Sequence, residues 1–227
     1  MVVQNVQRCV GLFVQKSRIQ KIPKDNELRS IKMPRLFFRY GAMGSSKTAN
    51  ALMVCYNYEE RGQKALLAKS AIDTRDGVNI VHSRIGLERE CILLETLCND
   101  MTEEEIKTYD AIVVDEAQFA TPEQIDFLAH LVDDLGIPVL CYGLRADFQN
   151  KLFPGSERLL TIADEIQEIK TICWCGSAAK CNARYNENGI VREGAQVMLG
   201  ANDSYIALCR KHFLEGNFGP NWKYGQE

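Results

Sequence analysis

The feature that most constrains the fold is a glycine-rich loop between an apolar segment and a helical one. The loop comprises residues 41–48 and reads Gly-Ala-Met-Gly-Ser-Ser-Lys-Thr. Residues 35–40 before it, Arg-Leu-Phe-Phe-Arg-Tyr, predict a buried strand, and residues 49–58 after it predict a helix. Backbone N–H groups of such a loop, together with the N-terminus of the following helix, cradle phosphate, and the lysine adds a positive charge. The loop therefore predicts an α/β fold that binds a nucleotide.

Ser46 occupies the position where the usual pattern, G-x-x-x-x-G-K-[ST], has its second glycine. If the backbone there has a positive φ or approaches a phosphate closely, a Cβ atom costs on the order of 1–2 kcal/mol. We expect phosphate binding to survive with some loss of affinity, because the order of strand, loop and helix is intact. The predicted phosphate-binding residues of the loop are Gly41, Ala42, Met43, Gly44, Ser45, Ser46, Lys47 and Thr48.

Composition and charge argue against several classes of protein. No apolar run approaches the roughly 20 residues of a membrane-spanning helix. The net charge of −3 gives no overall basic field that would attract nucleic acid. Nine cysteines spread over 227 residues fit thiolates on a metal in a reducing compartment better than a secreted disulfide scaffold. We therefore expect a cytoplasmic protein with one ordinary domain and a small appendage.

The first 32 residues differ from the rest in charge, since they hold seven basic and only two acidic side chains. We expect a basic, flexible extension there, although a basic, acid-poor start is also typical of organelle import segments. A secretory signal is not expected, because the apolar residues 10–14 lack a small-residue cleavage site.

Strand and helix patterns alternate along the central part of the chain. Thr121, Pro122 and Gln124 predict a capped helix start, with proline at the first helical position and a capping box. Such alternation predicts a mostly parallel sheet flanked by helices, of the P-loop NTPase type. The remaining predicted elements are strands at 64–69, 79–82, 111–115, 138–142 and 165–171, helices at 87–97 and 205–213, a loop at 144–156 and a hairpin turn at Asn188-Gly189.

Two adjacent acids end the strongest apolar strand. Nucleotide enzymes place a carboxylate near the metal in this way, so Asp115, with the hydroxyl of Thr48, is the candidate for Mg²⁺. Glu116 would then be free to accept a proton. The alternative is a pair of solvated acids at the end of a strand.

A second set of chemistry-bearing residues lies near the C-terminus. Cys173 and Cys175 precede Cys209 and His212 by 34 or more residues, which suits a tetrahedral zinc site. The C-x-x-H pair has standard spacing, whereas C-x-C is one residue short, so Cys181 is an alternative to either of the first two cysteines. Buried thiols without a metal are the other interpretation. Four protein ligands would make the zinc structural.

Together, six segments resemble the type II thymidine kinases, the zinc-containing cellular and bacterial family. The similarity runs in order from about residue 33 to residue 213, which makes the combination far more specific than any one motif. The segments are Tyr40-Gly-Ala-Met43, Ser46-Lys-Thr48, Asp73-Thr-Arg75, Asp115-Glu-Ala-Gln-Phe119, Tyr142-Gly-Leu144 and 147–153.

This resemblance implies the transfer of the ATP γ-phosphoryl group to the 5′-hydroxyl of thymidine, and of deoxyuridine, in nucleotide salvage. Glu116 matches the general base, and Arg75 and Lys47 match residues at the transferred group. Phosphate-binding roles are implied for Asp73, Asp115, Glu116 and Gln118. Nucleoside-binding roles are implied for Met43, Phe119, Leu144, Phe148, Phe153, Asn182, Met198 and Tyr205, although taken alone the apolar residues among these are more typical of a core.

The resemblance also implies the organisation and partners of the chain. The P-loop α/β domain would span residues 33–171, and a zinc-binding domain would span 172–216, with residues 190–205 as a flap over the nucleoside and 217–227 as a tail. Inhibition by dTTP and a homotetramer are further implications, whereas nucleic acid and membranes are not expected as partners.

Two other functions fit parts of the pattern. The chain could be a P-loop ATPase whose zinc module acts on nucleic acid, but it is short for a helicase and its metal region carries little positive charge. It could also be a nucleotide-binding regulator without catalysis, on account of Ser46.

Overall fold

The computed structural model of the protein describes residues 34–72, 77–197 and 204–220. Residues from Pro34 onward group into one unit. The predicted basic extension, the Asp73-Thr-Arg75 segment, Met198 and most of the predicted tail lie outside the described residues.

Thirteen strands and six α-helices make up the described part of the chain. The strands are β1 (Leu36–Tyr40), β2 (Ala65–Lys69), β3 (Ile80–His82), β4 (Glu88–Glu90), β5 (Ile92–Leu93), β6 (Ala111–Asp115), β7 (Val139–Gly143), β8 (Glu165–Glu168), β9 (Thr171–Ile172), β10 (Ala178–Ala179), β11 (Cys181–Asn186), β12 (Gly189–Ile190) and β13 (Tyr205–Leu208). The helices are α1 (Lys47–Glu59), α2 (Leu94–Asn99), α3 (Glu103–Ile106), α4 (Pro122–Asp133), α5 (Pro154–Ile162) and α6 (Arg210–Glu215), with a 3-10 turn at Ala117–Phe119.

A parallel six-stranded sheet organises the larger part of the fold. Its strand order is β5-β2-β6-β7-β1-β8, and every neighbouring pair is parallel. Strands β2, β6 and β7 are buried along their whole length, as expected for a sheet covered on both faces. The predicted fold class is confirmed.

Two apolar clusters cover the two faces of this sheet. On one face, Ile125 and Leu128 of α4 pack against strand residues such as Val114. On the other face, Leu52 and Cys55 of α1 pack against residues of β2, β6 and β7. Alternate residues of each strand thus point to opposite clusters, and the sheet is fixed between its helices.

The predicted start of α4 is confirmed. The Thr121 hydroxyl accepts from the Gln124 N–H at 3.3 Å, and the Gln124 side-chain oxygen accepts from the Thr121 N–H at 2.9 Å. Pro122 occupies the first turn, where its missing N–H has no cost.

The prediction of one helix over residues 87–97 is wrong. Residues 88–90 form β4, which pairs antiparallel with β3, and only Leu94–Asn99 is helical. Ser83 closes this hairpin, because its hydroxyl accepts from the Leu87 N–H at 3.0 Å while its own N–H donates to the Leu87 carbonyl at 2.7 Å. The predicted strand at 79–82 therefore belongs to a separate hairpin rather than to the main sheet.

Two other predicted elements need correction. Residues 205–208 form a strand, because they pair antiparallel with β11, and the helix starts only at Arg210. The predicted loop at 144–156 ends early, since Pro154 begins α5. Gly155 allows this helix to pack closely, because a Cβ there would lie 2.5 Å from the Ala117 carbonyl oxygen.

Short antiparallel strands and α6 form a smaller module after β8. Strands β9 and β10 form one hairpin, and β12, β11 and β13 form a three-stranded sheet. The predicted turn near Asn188 is confirmed, since Asn186 pairs with Gly189. The core of this module contains Ala183, Leu208 and Phe213. No helix among the described residues is long and apolar enough to cross a membrane.

Candidate active site

The glycine-rich loop leaves the carboxyl end of β1 and turns tightly against the end of β7. The Gly41 N–H donates to the Gly143 carbonyl at 3.2 Å. A side chain at Gly41 would collide with the Ile169 carbonyl and the Ser45 hydroxyl. The glycine is therefore required for close packing at the root of the loop.

Ser46 lies immediately before α1 with φ 62° and ψ 28°, the left-handed conformation. Its carbonyl accepts from both the backbone N–H of Asn50, at 3.0 Å, and the Asn50 side-chain amide, at 2.9 Å. Ser46 therefore has the positive φ at which a Cβ atom is costly, and two hydrogen bonds to its carbonyl hold the strained residue in place.

Lys47 folds back over the loop. Its Nζ donates to the Ala42 carbonyl at 3.0 Å and lies 3.5 Å from the Ser45 hydroxyl, and the residue is buried. A cation is therefore held inside the turn of the loop, where phosphate charge would be neutralised.

Thr48 and Asp115 meet across α1 and β6. The Thr48 side chain hydrogen-bonds to the Asp115 carboxylate, which is buried. Burial raises the pKa of Asp115 to about 7, and the negative charge of Glu116 acts in the same direction, whereas Thr48 and the charge of Lys47 lower it. A hydroxyl beside a buried carboxylate is a donor set that suits a hard divalent cation.

Glu116 leaves β6 with φ 53° and ψ 35°, a left-handed conformation that is uncommon for a residue with a side chain. It starts the 3-10 turn, in which the Phe119 N–H donates to the Glu116 carbonyl at 3.1 Å. The chain therefore turns out of the strand at Glu116, and this residue lies at the carboxyl edge of the sheet, next to Asp115.

Gln118 holds the carboxylate of Glu116. Its Nε2 donates to Glu116 Oε2 at 2.5 Å, and its Oε1 accepts from the Leu144 N–H at 2.9 Å. The chemistry fixes this orientation of the amide, since a backbone N–H can only donate and a carboxylate can only accept. Gln118 is fully buried, and its amide is engaged by Glu116 at one end and by Leu144, just after β7, at the other.

An aromatic residue in the turn after β6, three positions along the chain from Glu116, packs against one in the loop after β7. The rings of Phe119 and Phe153 meet edge to face with centroids 5.6 Å apart. Phe148 and Phe153 are buried, and Leu144 is half-buried. The structure thus gathers four of the predicted nucleoside-binding residues near the carboxyl ends of the parallel strands, where open α/β sheets bind ligands.

Asn182 joins the smaller module to the loop. Its Oδ1 accepts from the Met43 N–H at 2.8 Å, and its Nδ2 donates to the Ala146 carbonyl at 2.8 Å. Tyr205 lies on the neighbouring strand, and its hydroxyl accepts from Arg184 Nε at 2.7 Å. No motif or spacing indicated Arg184, because one arginine in an alternating strand is usually an exposed side chain.

The four predicted zinc ligands come together in the smaller module. The ligand atoms of Cys173, Cys175, Cys209 and His212 all lie within 4.8 Å of one another. His212 presents Nδ1, which lies 3.4 Å from Cys173 Sγ and 3.5 Å from Cys209 Sγ. Hydrogen bonds from Ser177 lower the pKa of Cys175 to about 6. Cys181 instead packs in the apolar core of the module and is not part of this cluster.

Three predicted site residues, Asp73, Arg75 and Met198, lie outside the described residues. The other predicted residues come from the loop after β1, the start of α1, the end of β6, the segments after β6 and β7, and the smaller module. Direct contacts join Lys47 with Ala42 and Ser45, Met43 with Asn182, Thr48 with Asp115, Glu116 with Gln118, Gln118 with Leu144, and Phe119 with Phe153.

Comparison with known proteins gives one consistent family. The family model described as thymidine kinase matches residues 34–213. The thymidine kinase of Zymomonas mobilis is 46% identical over 188 residues, covering 81% of this chain and 97% of that protein. That of Legionella pneumophila is 46% identical over 193 residues, covering 82% and 92%. That of Streptococcus pyogenes is 45% identical over 189 residues, covering 80% and 98%.

Solved structures of Pif1 helicases show a much weaker similarity. The Pif1 helicase from Candida albicans gives a TM-score of 0.40 at 10% identity, covering 67% of this chain and 40% of the helicase. Overlap at this level supports no conclusion about function. The family model and the relatives both extend over most of the chain, and the chain belongs to the thymidine kinase family.

Proposed function

We propose that this protein transfers the γ-phosphoryl group of ATP to the 5′-hydroxyl of thymidine, and of deoxyuridine, to form the monophosphate for nucleotide salvage. The observation that supports this most is the position of Glu116 in a member of the thymidine kinase family. An oriented carboxylate lies beside Asp115, which contacts Thr48 at the end of the phosphate-binding loop.

The loop and the start of α1 would bind the triphosphate. Backbone N–H groups of residues 41–48 would face the phosphates, and Lys47 would neutralise their charge. Thr48 and Asp115 would hold Mg²⁺, which supplies charge neutralisation on the β- and γ-phosphates when bound. A divalent cation bound there would oppose the effect of burial on the pKa of Asp115 and favour its ionised form.

Glu116 would accept the proton of the attacking 5′-hydroxyl. A positioned general base contributes roughly 10²–10⁴-fold to the rate. Gln118 would keep the carboxylate in the attacking geometry rather than bind phosphate itself, because its amide is engaged by Glu116 and Leu144. Arg75 and Asp73 would act at the transferred group, which rests on the family resemblance alone.

The nucleoside would lie against the aromatic cluster next to Glu116. Phe119 would pack on the base, and Leu144, Phe148 and Phe153 would form walls. Met43, Asn182, Met198 and Tyr205 are the other candidates, although Asn182 uses its whole amide to join Met43 to Ala146. Apolar side chains in the loops that follow Glu116 and β7 support a nucleoside, whose base is apolar on its faces, as the acceptor.

We assign the metal cluster as a structural zinc site. Three cysteines and one histidine converge, which is a common set for tetrahedral structural zinc. These residues come from the β9–β10 hairpin and from the start of α6, so the metal would join two parts of the module that share only a small core.

Inhibition by dTTP, assembly into a homotetramer and a cytoplasmic location are proposed on the family resemblance. Feedback inhibition predicts that dTTP competes with thymidine in steady-state kinetics. A tetramer predicts four times the chain mass in light scattering, and a monomer would contradict it.

The decisive substrate test uses purified protein with ATP and Mg²⁺ and each deoxynucleoside in turn. Release of ADP that depends on thymidine, with formation of dTMP, supports the proposal. ATP hydrolysis that depends on DNA and not on thymidine would instead favour the ATPase alternative. Binding of ATP without turnover on any nucleoside would favour the regulator.

A further inference from the structure

Arg184 is a buried cation that the proposed reaction does not use. It lies on β11, is 5% exposed, and has no carboxylate within ion-pair distance among residues 34–72, 77–197 and 204–220. Burying a guanidinium is costly unless its charge and donors are compensated. Aromatic faces and neutral oxygens provide that compensation here.

The Arg184 guanidinium contacts two aromatic rings and two oxygen atoms, and its carbon lies 5.2 Å from the centroid of the Tyr205 ring. The guanidinium carbon lies 3.7 Å from the centroid of the Phe148 ring, which is close stacking. Nε donates to the Tyr205 hydroxyl at 2.7 Å, and Nη2 donates to the Gln196 carbonyl at 3.3 Å. The planar group therefore fixes three separate segments of the chain at once, which a lysine ammonium on a flexible stem cannot do.

Those three segments carry the proposed nucleoside pocket. Phe148 lies in the loop after β7, which also carries Phe153. Gln196 belongs to the predicted flap, and Tyr205, directly opposite Arg184 in the pairing of β11 with β13, is the residue that ends it. Arg184 thus touches both ends of the segment from residue 196 to residue 205.

The side chain of Gln196 closes the same network from the other side. Its Nε2 donates to Asp147 Oδ2 at 2.9 Å and to the Leu152 carbonyl at 3.2 Å. Asp147 in turn accepts from the N–H groups of Gln149 and Lys151 at 2.8 and 2.9 Å, which shapes the loop around Phe148. These contacts therefore join Gln196 of the predicted flap to the loop that carries Phe148.

From these contacts we propose that Arg184 is a positioning residue for nucleoside specificity, acting through Phe148 and Tyr205. This inference rests on the proposed function. None of the Arg184 side-chain contacts involves residues 41–48, so its loss would weaken the binding of the nucleoside and leave the binding of ATP unchanged.

The test compares Arg184→Lys with Arg39→Lys. Arg39 is a matched control outside the predicted flap, because its guanidinium carbon lies 5.6 Å from the centroid of the Tyr142 ring and its Nη1 donates to the Tyr142 hydroxyl at 2.6 Å. Neither contact involves a proposed nucleoside-binding side chain. We expect Arg184→Lys to raise the KM for thymidine about tenfold or more, with the KM for ATP and the bound zinc unchanged. Arg39→Lys should leave all three unchanged.

Tyr205→Phe keeps the inference testable if Arg184→Lys fails to fold. It removes only the hydroxyl that accepts from Arg184, so we expect the KM for thymidine to rise about threefold or more. In the double variant, the two effects should be less than multiplicative, since both disrupt one hydrogen bond.

The outcomes separate this inference from the proposed function. Absence of phosphoryl transfer to thymidine by the unsubstituted protein would overturn the proposed function itself. If the unsubstituted protein is active, a thymidine KM in Arg184→Lys that matches that of Arg39→Lys would overturn the role of Arg184. A rise in the KM for ATP equal to that for thymidine would overturn it too.

Discussion

Two residues with side chains, Ser46 and Glu116, have left-handed backbone conformations at the proposed reaction centre. Each conformation costs on the order of 1–2 kcal/mol in a residue with a Cβ. Both residues lie at a junction between a sheet strand or its loop and a helical turn, where the chain must change direction sharply. The strain is thus located where phosphate and hydroxyl would meet.

Replacing Ser46 with glycine should relieve this strain. We expect Ser46→Gly to raise the free energy of unfolding by about 0.5–1 kcal/mol, since the greater freedom of glycine in the unfolded chain offsets part of the gain. The apparent KM for ATP should fall, because the loop reaches its binding geometry at lower cost. Urea unfolding and steady-state kinetics measure the two effects.

The opposite substitution, from glycine to a residue with a Cβ atom, can be made at Gly44 in the same loop. Its φ is +74° and a Cβ there would meet nothing within 4 Å, so Gly44→Ala tests conformation without a clash. We expect that substitution to destabilise the protein by about 1 kcal/mol. An unchanged stability and an unchanged ATP KM in Ser46→Gly would contradict the account of the loop.

Gln118 makes a second prediction at this scale. Gln118→Leu removes the donor to Glu116, so we expect kcat to fall about tenfold or more while both KM values stay within a factor of three. Gly143→Ala should act in the same direction, because its Cβ would lie 2.6 Å from Gln118 Oε1. Gln149→Leu is the control, since the Gln149 amide contacts the Arg192 carbonyl instead. Equal kcat values for Gln118→Leu and Gln149→Leu would show that Glu116 needs no support.

At the scale of elements, the helices and strands that the sequence predicts correctly are those with a clear local pattern, either a continuous apolar run or a helix cap. Strands β2, β6 and β7 are nearly continuous apolar runs, which is the pattern of a parallel strand covered on both sides. The start of α4 has its own local chemistry in Thr121, Pro122 and Gln124. The predicted helices over residues 87–97 and 205–213 are wrong in their first parts, which form strands. Short apolar runs suit strand and helix alike, and pairing with another strand decides between them.

The candidate site divides in the same way. The loop, Thr48, Asp115 and Glu116 could be predicted because they lie next to recognisable strands and helices. The contacts of Gln118 with Leu144 and of Arg184 with Phe148 join residues 26 and 36 positions apart, and no residue spacing in the sequence predicts them. They depend on how the loops after β6 and β7 meet the smaller module.

Capping of α4 gives a prediction at the element scale. Thr121→Ala removes the side-chain acceptor for the Gln124 N–H, so we expect a loss of about 1 kcal/mol, or about 2–4 °C in melting temperature. The control is Thr161→Ala, near the end of α5, where the hydroxyl only donates to a carbonyl of its own helix. Neither substitution should alter KM values. Equal melting temperatures for the two variants would show that the cap contributes nothing.

At the scale of the whole molecule, the smaller module supports the reaction centre. Asn182 connects β11 to Met43 in the phosphate-binding loop and to Ala146 after β7. Arg184, two residues later, holds the aromatic loop. The metal cluster lies in the same module, so its integrity bears on both proposed substrate sites.

Removal of the metal should therefore lower the stability of the fold and weaken substrate binding through the loss of that structure. We expect a strong chelator, or Cys209→Ser, to abolish zinc binding, lower the melting temperature and raise the KM values of both substrates together. Trp174 stacks on His212 with ring centroids 4.3 Å apart, so tryptophan fluorescence should change as the metal leaves. Cys98→Ser lies outside the cluster and serves as control. Full stability and unchanged fluorescence in the metal-free protein would contradict a structural role for the site.

The most direct test of the central claim is the turnover of Glu116→Gln measured with ATP, Mg²⁺ and thymidine, alongside its affinity for ATP. Because the substitution keeps the shape of the side chain and removes its basicity, we predict a fall in kcat of about 100-fold or more. The dissociation constant for ATP should stay within about a factor of three, as in an exposed control, Glu123→Gln. A Glu116→Gln protein that retained most of its kcat would contradict the assignment of residue 116 as the base.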